Sequence, residues 1–96
     1  MDIYQWTTIE LKDTKQLPVT RGCYALLSNE VVLYIGRAKL LWRRLSNLNR
    51  HETISKIQSL VNDELMLAYS VDDYDNEKQL ILQYRPQYNI EYLTKW

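Results

Sequence analysis

Tyr24 and Tyr34 stand on either side of a short polar turn, and a stretch with five basic residues and no acidic one, Arg37 to Arg50, follows directly. Strands commonly take tyrosine as filler for a half-buried surface. Two phenols leading into a basic stripe suggest instead a surface that faces phosphate. A third element adds a carboxylate. Glu77 falls on the same side of a helical stretch as Tyr74, Leu80, Ile81 and Tyr84, in the middle of an apolar face. Carboxylates are rarely buried unless they are paired or bound to a metal. Glu77 is therefore either the partner of Arg37 or Arg44 in an ion pair, or a metal ligand or acid in a site.

The elements that must position these groups can be read in outline. Cys23 to Ser28 and Val31 to Ile35 read as the strands of a hairpin, with Gly36 at the corner into a helix. Side chains alternate faces along a strand. A turn centred on Asn29 sets Tyr24 opposite Tyr34, with both rings on one face. A two-residue Asn29-Glu30 loop shifts the register by one and separates them. A shared site therefore requires an odd-length turn or a bulge at Ser28-Asn29-Glu30. Arg37 to about Asn49 is expected to be helical, with Ala38, Leu41, Leu45 and Leu48 inward. Lys39, Arg43 and Arg50 then face water, and Arg37 and Arg44 share a stripe at the border. Glu52 to Asn62 reads as a second helix and Leu65 to Val71 as a third strand. Asp72 to Arg85 reads as a third helix, capped by Asp72 or Asp73 and stopped by Pro86. Tyr88, Ile90 and Tyr92 alternate in an extended tail. Ile3 to Leu11 reads as an extended segment packed on the core, and Asp13 to Pro18 as a polar turn.

At 96 residues the chain is expected to be one domain, 1–96, with 46% hydrophobic residues to fill one modest core. No run approaches the roughly 20 apolar residues of a membrane span, and no signal peptide is visible. The single cysteine, Cys23, offers no disulfide framework and fits a reducing, cytoplasmic compartment. One cysteine and one histidine cannot make a four-ligand zinc site. The formal net charge is zero, but the charges segregate. Six acidic residues and no basic one lie between Asp63 and Glu77, so the balance hides two opposed patches.

Gly22-Cys23-Tyr24 and Tyr34-Ile35-Gly36 resemble the two half-motifs of the GIY-YIG nuclease family. Arg44 falls where that family carries its helix arginine. Glu77-Lys78-Gln79-Leu80-Ile81 is similar to the family's glutamate followed by an apolar pair, and Pro86-Gln87-Tyr88-Asn89 to its closing motif. Gly36-Arg37-Ala38-Lys39 resembles the run in the N-terminal nuclease domain of the bacterial nucleotide-excision subunit. The resemblance covers residues 22–89, leaving a lead-in, 1–21, and a tail, 90–96. It implies an α+β fold with a three-stranded antiparallel sheet flanked by about three helices.

The resemblance also implies hydrolysis of phosphodiester bonds in DNA with one divalent ion, Mg²⁺ or Mn²⁺, held by Glu77. Arg44 would stabilise charge on the phosphate, with Tyr24 and Tyr34 sharing the tasks of base and positioning. Gly36, Arg37, Lys39, Arg43 and Asn89 would contact substrate or phosphate, Asn89 by orienting the site or bonding the scissile region. Cys23 replaces the usual Ile or Val. Arg37 stands where the excision subunit has lysine, and arginine keeps phosphate contact but cannot carry a proton. Relatives that place a histidine or tyrosine one turn after the arginine have Leu48 at that position here. His51 is expected to lie off the site, as a surface or capping residue. Competing expectations are a catalytically idle nucleic-acid-binding or assembly module and an RNA nuclease. No element is left to select a target, so a homodimer or a protein partner, docking through the tail, would supply specificity.

Overall fold

The hairpin at the centre of the fold is closed by the two residues Asn29 and Glu30, both in left-handed backbone (φ 49 and 67). Such a turn matches the twist of the strands it joins. The Tyr4 hydroxyl donates to the Glu30 carbonyl at 2.6 Å and steadies a conformation that glutamate does not favour. The strands are β1 (Thr7–Glu10), β2 (Gly22–Ser28), β3 (Val31–Ala38) and β4 (Leu65–Ser70). The helices are α1 (Leu41–Leu45), α2 (Glu52–Leu60) and α3 (Glu77–Tyr84). The computed structural model describes residues 2–89. The expected tail, 90–96, lies outside them, and Tyr88 itself falls in a turn.

The sheet is antiparallel in the order β1-β4-β2-β3, four strands rather than three. The added strand comes from the lead-in, where Thr7 to Glu10 pairs with Met66 to Tyr69. Its side chains are mostly exposed, so its sequence carries little of the apolar alternation by which a strand is read. β2 lies between β4 and β3 and is buried at every position, which accounts for its unbroken apolar run.

Two layers cover the sheet. On one face Tyr24, Leu26, Leu33 and Leu67 pack with Leu41 and Leu45 of α1 and Ile54 and Ile57 of α2. On the other, Cys23, Ala25, Ile35 and Ala68 pack with Ile3 and with Leu80 and Ile81 of α3.

The register between β2 and β3 is the feature on which the site depends. Ser28 pairs with Val31 and Leu27 with Val32, but Leu26 pairs with Tyr34. Leu33 is the extra residue of a β-bulge. The two-residue turn would have set the phenols on opposite faces, and the bulge returns them to one. Tyr24 faces Gly36, not Tyr34, which lies two residues away along β3.

The basic stretch departs from the expected long helix. Gly22 pairs with Ala38 and Cys23 with Arg37, so the ladder carries β3 past Gly36, and Arg37 lies on a strand. Arg37 and Arg44 therefore do not share a helical stripe. α1 has only five residues, its first amides satisfied by the carbonyls of Thr20 and Pro18. It ends before Asn47, whose extended backbone and side-chain bond to Asn49 N–H open a 3₁₀ turn instead. The lead-in carries two further 3₁₀ turns, Ile3–Gln5 and Leu11–Gln16, the second where a polar turn is expected.

α3 also begins later than its sequence suggests. Asp73 accepts from Ser70 Oγ at 2.6 Å and from Asn76 Nδ2 at 2.9 Å, holding a 3₁₀ turn before the helix. Glu77 thus becomes the first helical residue, and Arg85 ends the helix in left-handed backbone before Pro86.

Candidate active site

β3 is an edge strand, and three groups from the C-terminal part of the chain close its outer side. The Leu33 carbonyl accepts from Tyr88 N–H at 3.0 Å. Ile35 is engaged twice by Asn89, which accepts from its N–H at 3.0 Å and donates to its carbonyl at 2.9 Å. The Arg37 N–H donates to the Glu77 carboxylate. The side chains of Asn89 and Glu77 thus act where a neighbouring strand would otherwise pair. Both Oδ1 and Nδ2 of Asn89 thus bond the backbone of β3 and orient that strand.

Glu77 reaches the same edge from α3. Its side chain is 20% exposed, and Oε1 lies 3.5 Å from Arg37 Nε. Burial raises its pKa, and the Arg37 charge opposes that rise. The ion pair expected as the alternative to a metal-binding role is therefore present, with Arg37. Arg37 is further held over the Tyr74 ring at 4.9 Å, and Arg21 lies 5.4 Å from the same ring.

Tyr24 arrives from the opposite face. Its ring runs from β2 across Gly36, where an added Cβ would lie 2.5 Å from both Cζ and Oη of the phenol. Gly36 is neither a corner nor an exposed phosphate contact; its missing side chain is the space the ring occupies. Tyr34 stands beside it, with ring centroids 6.3 Å apart. The Arg44 guanidinium lies close enough to the Tyr24 phenol to favour its ionised form. The Thr53 hydroxyl and the Tyr24 phenol act in the same way on Tyr34.

Burial raises the pKa of Tyr24 first and the neighbouring Tyr34 second, while Arg44 lowers it. Tyr34 is also raised, by burial and then by the Glu77 charge, against the lowering action of Thr53, Arg44 and Tyr24. The charges of Arg44 and Glu77 thus both act on Tyr24 and on Tyr34, so the four groups share one electrostatic environment beside β3.

Next to this edge, Arg37, Lys39, Leu40, Arg43, Arg44 and Arg50 line one open groove. Lys39, Arg43 and Arg50, expected to face water away from the border pair, share a concave surface with it. The cause is the short α1, after which the chain turns back and brings Arg50 alongside.

The largest departure is His51. It is 1% exposed, and its Nε2 lies 2.6 Å from the Tyr24 hydroxyl. It does cap a helix, since Nδ1 accepts from Ile54 N–H at 3.2 Å at the start of α2, but it is neither on the surface nor off the site. Its ring stands edge-on to both tyrosines at 5.7 Å. Burial, and then the Arg44 charge, lower its pKa to about 4, so the ring is neutral at pH 7. A histidine just before a helix beginning with Glu52 is a readable capping signal. Nothing local shows that its second nitrogen meets Tyr24.

Residues 20–90 match the UvrC-like GIY-YIG domain, and the chain belongs to that family. It is an endonuclease-type domain of the GIY-YIG class, with the family's antiparallel sheet and flanking helices. It is similar to UvrABC system protein C of Borrelia hermsii, 39% identical over 88 residues that cover 83% of this chain and 14% of the relative. It resembles the Mesoplasma florum protein of the same name at 35% identity, over 85% of this chain and 15% of that one. The chain thus spans about one-seventh of the length of these relatives. Among solved structures it is similar to the GIY-YIG N-terminal endonuclease domain of UvrC from Thermotoga maritima, bound to its catalytic divalent cation, magnesium. The TM-score is 0.65 at 28% identity, over 80% of this chain and 91% of that one.

Proposed function

We propose that the protein is a metal-dependent endonuclease that hydrolyses phosphodiester bonds in DNA. The observation that carries this is the meeting of Tyr24, Tyr34, Arg44 and Glu77 at one sheet edge, beside a groove of basic side chains. Phosphate contacts from that groove fit a nucleic-acid backbone, and among the described residues no element is placed to enter a duplex groove and read bases.

The site fits one hard cation. Among the described residues no cluster of three or more His, Cys, Asp or Glu exists, and Glu77 is the carboxylate that bonds the β3 edge. Mg²⁺ suits such a site, because it keeps several waters and takes few carboxylates together with phosphate oxygens. Mn²⁺ has similar oxygen preferences. When bound, the ion would supply Lewis-acid stabilisation of phosphate oxygens and would offset the Glu77 charge, which after burial raises the Tyr34 pKa.

The chain's own residues divide the remaining work. Tyr34 is half-buried, whereas Tyr24 is 2% exposed, so Tyr34 is the phenol within reach of water. Thr53, Arg44 and Tyr24 beside it favour the phenolate, against burial and the Glu77 charge. Tyr34 first loses its own proton to solvent; as water oxygen then bonds to phosphorus, its proton passes to the phenolate and the bond to the leaving oxygen breaks, and solvent protonates that oxygen. Arg44 stabilises charge on the non-bridging oxygens, and Arg37, Lys39, Arg43 and Arg50 align the strand.

Target choice would come from a protein partner or a second copy. We propose that it acts on DNA in the cytoplasm. Nicking of supercoiled plasmid with and without chelator tests the proposal, with labelled RNA alongside. Chelator-sensitive nicking lost in Tyr34→Phe and Glu77→Gln is expected. Wild-type rates in both variants, or cutting of RNA only, would overturn it.

A further inference from the structure

His51 is a buried polar group that this mechanism leaves unused. Ser, Thr, Asp and Asn are the usual helix N-caps, and each would satisfy the Ile54 amide with less volume. An imidazole does something they cannot, because it carries a second nitrogen on the far side of a rigid ring. Here that nitrogen ends on the Tyr24 oxygen at 2.6 Å.

The two contacts together settle where the protons are. A backbone N–H can only donate, so Nδ1, which receives Ile54 N–H, must hold a lone pair. The neutral ring then carries its proton on Nε2 and donates it to the Tyr24 oxygen. The Arg44 guanidinium, also only a donor, lies near that oxygen. A phenol oxygen that receives a donor keeps its own proton free to be given away. Tyr34 stands beside it, with its ring centroid 6.3 Å from that of Tyr24.

We propose that His51 is a positioning residue: locked as the Nε2–H tautomer by the first turn of α2, it turns the Tyr24 hydroxyl towards Tyr34. The orientation of the tyrosine pair is thereby tied to the capping of a helix. The charged and titratable groups around it, Arg44 from α1, Tyr34 from β3 and Tyr24 from β2, are all accounted for in this chain of bonds. The low pKa of His51 is consistent with it, since a protonated ring would have to abandon the cap.

The proposal rests on the nuclease activity for its kinetic effect, but not for its geometry, so two kinds of measurement separate them. His51→Asn is the informative substitution, because asparagine caps α2 but is too short to reach Tyr24. Nitrogen-15 spectra of the wild-type imidazole should show the Nε2–H tautomer, with the Nε2–H resonance changed in Tyr24→Phe. The Tyr34 Cζ resonance should move in the same direction in His51→Asn as in Tyr24→Phe. In cleavage, kcat of His51→Asn should fall about tenfold, as for one lost hydrogen bond, with KM unchanged. In a Tyr24→Phe background the same substitution should add little. An Nδ1–H tautomer, an unmoved Tyr34 resonance, or full additivity with Tyr24→Phe would overturn the proposal. Absence of any cleavage with the expected tautomer and Tyr34 shift would support the positioning role and sink the nuclease proposal alone.

Discussion

Gly36→Ala is the smallest change that tests how the site is built. No glycine in the described chain has positive φ, so alanine meets no backbone strain at this position. The whole effect comes from one methyl group. Its carbon would stand 2.5 Å from Cζ and Oη of Tyr24 and 2.9 Å from Cε2. The ring must move by about 1 Å to restore ordinary contact. It is 2% exposed and bonded to His51 at 2.6 Å, so it has nowhere to go without breaking that bond or displacing its neighbours. Overpacking of this kind costs about 1–3 kcal/mol, and the strained hydrogen bond adds about 1 kcal/mol. Urea denaturation should therefore show a loss of about 2–4 kcal/mol. In a Tyr24→Ala background the methyl group enters vacated space. There Gly36→Ala should be neutral or stabilise by up to about 1 kcal/mol, because alanine loses less backbone entropy. An equal cost in both backgrounds, or no cost in the wild type, would refute the placement of the ring over Gly36.

Glu77→Gln should abolish metal-dependent nicking and leave DNA binding intact, as read by plasmid nicking and fluorescence anisotropy. The partner guanidinium is half exposed, so the lost ion pair should cost no more than about 1 kcal/mol in melting experiments. Arg37→Gln removes the cation that competes for Glu77, and Mg²⁺ should bind roughly two- to fivefold tighter by calorimetry. Asn89→Ala should act on stability, costing about 2 kcal/mol or more, because the Ile35 N–H and carbonyl lose their partners; a chemical melt measures it. Folded His51 resists the proton that the unfolded chain takes up below about pH 6.5. Its contribution is thus present above that pH and lost as the pH falls towards about 4, to a total of about 3 kcal/mol. Glu77, with a raised pKa, works in the opposite direction. The difference between wild-type and His51→Asn melts, followed over that range, isolates the histidine.

The residue types and spacings marked two phenols beside a basic stripe and a carboxylate on an apolar helix face, and outlined the hairpin, α2 and β4; the grouping of Tyr24, Tyr34, Arg44 and Glu77 as one site came from the resemblance of their motifs to the GIY-YIG family. Those features are local. A hydrophobic run, an alternation or a helical period constrains a segment whatever it packs against. The sequence also framed the question of whether the phenols share a face, but it could not answer it. That depended on Leu33 bulging out of the ladder, which is decided by how β3 fits β2 and the layer above, not by the turn residues. The same holds for Arg37, which a helical pattern claims and the ladder with Cys23 takes. β1 was hidden because an exposed edge strand has little apolar pattern to show. The contacts least legible were those between polar groups far apart in the chain. Tyr24 and His51 are 27 residues apart, and Ile35 and Asn89 are 54 apart. A hydrogen bond is directional and short-ranged, so its partner is settled only when packing of the apolar layers has brought the two groups within about 3 Å. Apolar burial, which is non-directional, leaves its mark along the sequence; the pairing of polar groups inside the fold does not.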